Sequence, residues 1–174
     1  QGVHVTVLEQ AAELGEIGAG VQLGPNAFAA LDALGVGEKA RKRAVFTERL
    51  IMMDAVDGSE VGSFPVGQAF RDRFQNPYAV IHRADIHATI LEGAQGSDLI
   101  QVETSTKVAS VTQDDAGVTA VDQNGRVFKA DALIAADGVR SVIREKMFND
   151  PPRISGHVVY RAVVPVEEMP ADLQ

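Results

Sequence analysis

The run VHVTVLE, residues 3–9, decides how the rest of the chain is read. Val3, Val5 and Val7 alternate with His4, Thr6 and Leu8, and this alternation predicts a strand. The strand closes on an acid, Glu9. A strand ending in a carboxylate is what a dinucleotide-binding βαβ unit places after its glycine-rich turn and first helix, because the acid can accept hydrogen bonds from two ribose hydroxyls. Acids also end many ordinary strands, so Glu9 alone does not choose between the two readings. The following sequence has to.

Working outward, a glycine-rich loop (Gly15, Gly18, Gly20, Gly24) leads into GPNAFAALDALG, residues 24–35. Pro25 suits the first turn of a helix, where its missing N–H costs nothing. Phe28, Leu31 and Leu34 recur at helical spacing, and Gly35 offers a stop. A strand is expected in RLIMMDAV (49–56), a turn at Asp57–Gly58 and another strand in EVGSFPV (60–66). NPYAVIHRADIHATILEGAQG (76–96) reads as strand, tight junction and helix, with Ile86, Ile90 and Leu91 on one face and Gly93 or Gly96 at the end. TKVASVTQDDAGVTAVDQNGRVFKAD (106–131) alternates through turns at Asp115–Gly117 and Asn124–Gly125, a meander. The apolar run Ala132–Ala136 is expected as a strand covered on both faces. Asp137–Gly138 then turn the chain and Ser141 can cap a helix. GHVVYRAVVPVEEMP (156–170) predicts a last strand. The order indicates an α/β fold, a parallel sheet with an inserted antiparallel layer.

Composition narrows the function. The 174 residues carry 45% hydrophobic and 23% charged side chains, an ordinary globular balance for one domain or one plus part of another. A formal charge of −8 argues against a nucleic-acid surface. With no cysteine, disulfides, thiolate metal sites and cysteine nucleophiles are excluded. The four histidines show no metal-ligand spacing, so no zinc is expected. No membrane span or signal-peptide layout is present, and a cytoplasmic protein is the default.

Four features could carry chemistry. Glu9 is the first. In GEIGAGVQLGPNA (15–27), Gly18 and Gly20 let a planar ring or phosphate approach the backbone, and the loop runs into a helix start that favours anions. A flexible connection explains the same glycines. Arg83, at the strand–helix junction of VIHRADIH (80–87), can turn back across the sheet edge toward a pyrophosphate, or simply pair with Asp85. ALIAADGVRS (132–141) puts backbone donors and a cation at a sheet edge of the kind where open α/β sheets bind nucleotides. Asp-Gly is also a common turn. Asp54, on the 49–56 strand, is a candidate pocket residue, against the plainer reading of a solvent-facing acid.

Taken together, the order and spacing of these features resemble the class A FAD-dependent aromatic monooxygenases, the p-hydroxybenzoate and salicylate hydroxylase family. The resemblance covers essentially the whole chain. GEIGAGVQLGPNAFAALDALGVG, NPYAVIHRADIH and GHVVYRAVV are most similar to the 3-hydroxybenzoate 6-hydroxylases, then to the salicylate 1-hydroxylases. It implies a Rossmann-like FAD/NAD(P)-binding fold of the p-hydroxybenzoate hydroxylase type. Residues 1–154 would be FAD-binding, with 45–78 bordering a substrate domain that begins in 155–174. It implies that Glu9 holds the FAD ribose and that Arg83 lies beside the flavin and its pyrophosphate. Asp137 and Gly138 would touch the pyrophosphate and serve NAD(P)H use. Gly20, Val21 and Gln22 would line the isoalloxazine, and Val108 would contact the adenine region through its backbone.

The resemblance further implies FAD as cofactor, NAD(P)H as co-substrate, and O₂ and a small aromatic molecule as reactants, with a homodimer allowed. The reaction would hydroxylate 3-hydroxybenzoate to gentisate; the alternative is salicylate to catechol with loss of CO₂. The family's GxGxxG turn and its Gly-Asp segment are not found in these residues, so the chain is expected to be an internal portion of a longer enzyme, and no catalytic base is assigned. Two other classes compete. A nicotinamide-dependent dehydrogenase would also end a strand on an acid, but the long meander replaces its repeated βα units. A non-catalytic module, an inactive fragment lacking both motifs, would bind nothing.

Overall fold

The structure, a computed structural model, describes residues 2–15, 18–148, 150–160, 164–169 and 171. In chain order the first elements are β1 (Val5–Leu8), β2 (Gly20–Leu23), α1 (Pro25–Ala33), α2 (Gly37–Arg43), β3 (Val45–Phe46), β4 (Arg49–Met53) and β5 (Glu60–Pro65). Next come α3 (Gln68–Phe74), β6 (Ala79–His82), α4 (Arg83–Gln95) and β7 (Ile100–Glu103). The meander β8 (Val108–Asp114), β9 (Gly117–Asp122) and β10 (Val127–Ala130) precedes α5 (Val142–Phe148). The chain forms two compact units, one of residues 1–14 and 99–160, the other of 15–98 and 161–174. Among the described residues no helix is long and apolar enough to cross a membrane.

In the first unit β1 and β7 pair in parallel, Val5 opposite Ile100 through Leu8 opposite Glu103. Backbone bonds extend the ladder at both ends, from Val5 N–H to Leu99 O at 2.8 Å and from Glu9 N–H to Glu103 O at 2.9 Å. The meander forms a three-stranded antiparallel sheet in the order β10-β9-β8. Its alternation was legible because β9 hides every second residue: Val118, Ala120 and Asp122 are buried. The third of these is an acid, which has to be paired to sit there.

The expected strand over Ala132–Ala136 does not form, and Ile134 is 92% exposed. The run is apolar enough, but among the described residues no strand lies alongside to take its backbone N–H and C=O groups. Beyond it the expected turn is present. Gly138 has φ +78°, Ser141 N–H reaches Gly138 O at 3.1 Å, and Ser141 Oγ accepts Arg144 N–H at 2.9 Å as the cap of α5. The last predicted strand is also absent over residues 156–160, where again no strand lies alongside among the described residues. Arg161–Val163 lie outside the described residues, and Val166–Glu168 make one 3-10 turn.

The second unit packs α1, α2 and α4 on the antiparallel sheet β2-β6-β3. Its core is Leu23, Phe28, Leu31, Val36, Ala40, Ala79 and Ile81, with Val21, Ala27, Ala44 and Ile86 against it. Phe28 is fully buried, stacks on Phe46 at 6.2 Å, and carries the Arg41 guanidinium 5.1 Å from its ring centroid. Leu34, expected on the same face as Phe28 and Leu31, is 67% exposed because α1 ends at Ala33 and Gly35 turns the chain at φ +73°. Ile90 likewise faces outward, and the buried position on α4 is Thr89. Gly93 does not end α4; Gly96 is its cap. A Cβ on Gly93 would lie 2.5 Å from Val36 Cγ1, so this glycine lets the α1–α2 turn approach α4. Arg43 ties α2 to α4 through Thr89 Oγ1 at 2.7 Å and Glu92 at 2.8 Å. The strands β4 and β5 form a separate hairpin around the expected turn, where Gly58 has φ +74°.

Candidate functional site

Glu9 sits just past the C-terminal end of β1, where parallel strands present their ends to ligands. Its backbone is fixed from both sides: its N–H donates to Glu103 O, and its carbonyl accepts Thr106 N–H at 2.8 Å. Ser105, left-handed at φ +52°, donates its N–H to Ala11 O at 2.9 Å, which zips residues 9–11 to 105–106. The half-buried Glu9 carboxylate accepts Ala11 N–H at 2.7 Å through Oε1. That uses one of about four acceptor positions on a carboxylate, leaving capacity for two hydroxyls of a ligand. Val108, two residues beyond Thr106, opens β8, so the acid and the expected adenine contact lie on joined segments.

Asp137 and Gly138 occupy the bend before α5 in the same unit. The Ser141 hydroxyl, opposed by partial burial and aided by the backbone N–H groups of Ile143, Asp137 and Val142, holds the Asp137 carboxyl below the usual carboxylate range. The bend therefore keeps an anion and a positive-φ glycine next to exposed backbone.

The second unit assembles the remaining candidates. Gly20, Val21 and Gln22 are on β2, opposite His82, Ile81 and Val80 of β6. Arg83 follows directly as the first residue of α4, and its N–H reaches Ala19 O at 3.3 Å. The two glycines read together in the sequence have different reasons. A Cβ on Gly18 would press to 3.0 Å from Cβ and Cδ of Arg83, so Gly18 makes room for the arginine stem. A Cβ on Gly20 would meet only Ile81 O at 3.7 Å, so no protein atom demands a glycine there. Open backbone at Gly20 beside an arginine suits a flat ring. Asp54, by contrast, shapes its hairpin: Oδ1 accepts Val56 N–H at 2.7 Å, and its backbone N–H donates to Ser59 O at 2.8 Å.

A cavity of 350 Å³ opens between the meander and α5, lined by Val111, Val118, Leu133, Ile143 and Met147 among others. None of Glu9, Val108, Asp137 and Gly138 lines it.

Sequence reasoning missed one polar cluster. Asp122 is 3% exposed and Thr106 1% exposed, and Arg126 joins them. The signal was present as an acid on the buried alternation of β9 with an arginine four residues later across the Asn124–Gly125 turn.

Each unit, taken by itself, offers groups of a dinucleotide-binding kind: one has an acid past a strand end and an Asp-Gly bend, the other an arginine beside open glycine backbone. Comparison with known proteins gives the same direction. Residues 1–169 match the family model described as FAD binding domain. The chain is 58% identical over 174 residues to 3-hydroxybenzoate 6-hydroxylase of Polaromonas naphthalenivorans (strain CJ2), covering 100% of this chain and 44% of the relative. It is 56% identical over the same span to the Klebsiella oxytoca protein of that name, again covering 100% of this chain and 44% of the relative. The chain thus spans less than half the length of these relatives. The crystal structure of Klebsiella pneumoniae HpxO complexed with FAD and uric acid superposes with a TM-score of 0.65 at 25% identity, over 79% of this chain and 34% of that one. The chain belongs to the FAD binding domain family.

Proposed function

We propose that this chain is the FAD-binding part of an enzyme that hydroxylates 3-hydroxybenzoate at the position para to its hydroxyl, giving gentisate. The observation that carries the proposal is the identity of 58% and 56%, without interruption of coverage, to two proteins of that activity. When bound, FAD supplies the redox chemistry of hydroxylation, taking electrons from NAD(P)H and activating O₂.

The chain's own residues bind and orient. Glu9 receives the adenosine ribose, and the backbone at Val108 borders the adenine. Arg83 neutralises the pyrophosphate and borders the flavin, in keeping with the preference of guanidinium for paired anionic oxygens. Gly20, Val21 and Gln22 run along the ring, where Gly20 lets it approach the backbone. Asp137 and Gly138 close the pyrophosphate side. In this reading residues 45–78 border the substrate domain, residues 155–174 open it, and the protein works in the cytoplasm.

Product analysis tests the assignment. The FAD-loaded protein, given NADH or NADPH, air and 3-hydroxybenzoate, is expected to yield gentisate by chromatography. Catechol and CO₂ from salicylate, with no turnover of 3-hydroxybenzoate, would overturn it.

A further inference from the structure

The cluster of Arg126, Asp122 and Thr106 does more than close a hairpin. An Asn-Gly turn needs no buried ion pair. Here Asp122 accepts the N–H groups of Asn124 and Arg126, both at 2.8 Å, and Arg126 Nε at 2.7 Å. That fixes the guanidinium, which also lies 5.6 Å from the Phe128 ring centroid. Its two remaining nitrogens point away from the hairpin. Nη2 donates to Thr106 Oγ1 at 2.5 Å, and Nη1 stands 3.7 Å from Glu103 Oε2.

Thr106 and Glu103 are the two residues whose backbone brackets Glu9. Glu103 O accepts the Glu9 N–H, and Thr106 N–H donates to the Glu9 carbonyl. One guanidinium therefore grips both jaws that hold the acid. The Thr106 hydroxyl is used in both senses, donating to Thr104 O at 3.0 Å while it accepts from Arg126. Removing the guanidinium leaves a buried oxygen short of its donor and frees residues 104–106 to shift. A planar fork suits the place, because two hydrogen-bond acceptors and a third, ion-paired carboxylate lie on different sides of one group.

We infer that Arg126, anchored by Asp122, is a positioning residue that sets the Glu9 carboxylate for the ribose of FAD. The inference rests on the reading of Glu9 given above. It predicts selectivity between flavins, because FMN has the isoalloxazine ring but no adenosine.

The test is titration of the apoprotein with FAD and with FMN, followed by flavin fluorescence. Arg126→Met is expected to weaken FAD binding about tenfold, the loss of one hydrogen bond to a charged group. FMN binding should stay within about twofold, which also reports that the variant folds. Thr106→Val, which removes only the hydroxyl, should reproduce the FAD-selective loss even if Arg126→Met fails to fold. In a Glu9→Gln background, Arg126→Met should cost nothing further. Equal weakening of both flavins, unchanged FAD binding, or a loss that adds in full to that of Glu9→Gln would overturn the inference. If Glu9→Gln alone leaves FAD binding unchanged, it is the reading of Glu9 that has failed, and the inference falls with it.

Discussion

At Gly93 a single missing methyl decides a contact. A Cβ there would sit 2.5 Å from Val36 Cγ1, and Val36 is 5% exposed with no room to turn away. Alanine would gain about 1 kcal/mol of helix propensity but cost about 1–3 kcal/mol in overpacking. We expect Gly93→Ala to lower unfolding free energy by roughly 1 kcal/mol in denaturant titration. Gly96→Ala, whose Cβ would lie an ordinary 3.4 Å from Glu92 O, should change it by less than about 0.5 kcal/mol. The sequence offered either glycine as the helix end, since nothing local separates a capping glycine from one that admits a neighbour. Arg83 shows the same limit: its position at a strand–helix junction was readable, but the glycine that accommodates its stem was not assignable to it. Glu9 was readable because an acid directly after an alternating run is a local pattern. Its bracket of Glu103 and Thr106 was not, because those residues are nearly a hundred positions away.

Among elements, the β9–β10 hairpin makes stability depend on pH. Burial pushes the Asp122 carboxyl up, but the Arg126 side chain and the N–H groups of Arg126 and Asn124 outweigh it and leave it below the usual range. Its folded pKa is thus depressed, and the unfolded chain binds the proton more readily. The stabilisation is present above the unfolded value and disappears as pH falls through the folded one. Between about pH 5 and pH 3 the protein should lose stability more steeply than Asp122→Asn, as measured by urea midpoints.

Elements with strong periodicity were legible: β1, the meander, α1 and the β6–α4 junction. The short helices α2 and α3 were not. GEKARKR buries only Gly37 and Ala40, and QAFRDRF buries nothing, so neither writes an apolar stripe. α2 is held instead by ion pairs such as Arg41 with Asp32 and Arg43 with Glu92. Residues 132–136 failed in the opposite sense. Their composition promised a strand, but a strand is a property of two segments, and the partner is not among the described residues.

For the whole molecule, the α/β class followed from the order of elements, and the parallel pairing of β1 with β7 across more than ninety residues bears it out. The candidate site was legible as a set of residues rather than as an arrangement. The structure joins Glu9 to the segment that leads into Val108, and gathers Gly20, Val21, Gln22 and Arg83 around the β2–β6 pair. Amide hydrogen exchange of the protein with and without FAD tests the central claim most directly, because it reports local protection along the entire chain. Slower exchange on FAD addition is predicted at residues 9–11, 104–108, 18–22 and 137–143 together. Saturation with FAD that protects other segments and leaves these four unchanged would contradict the account.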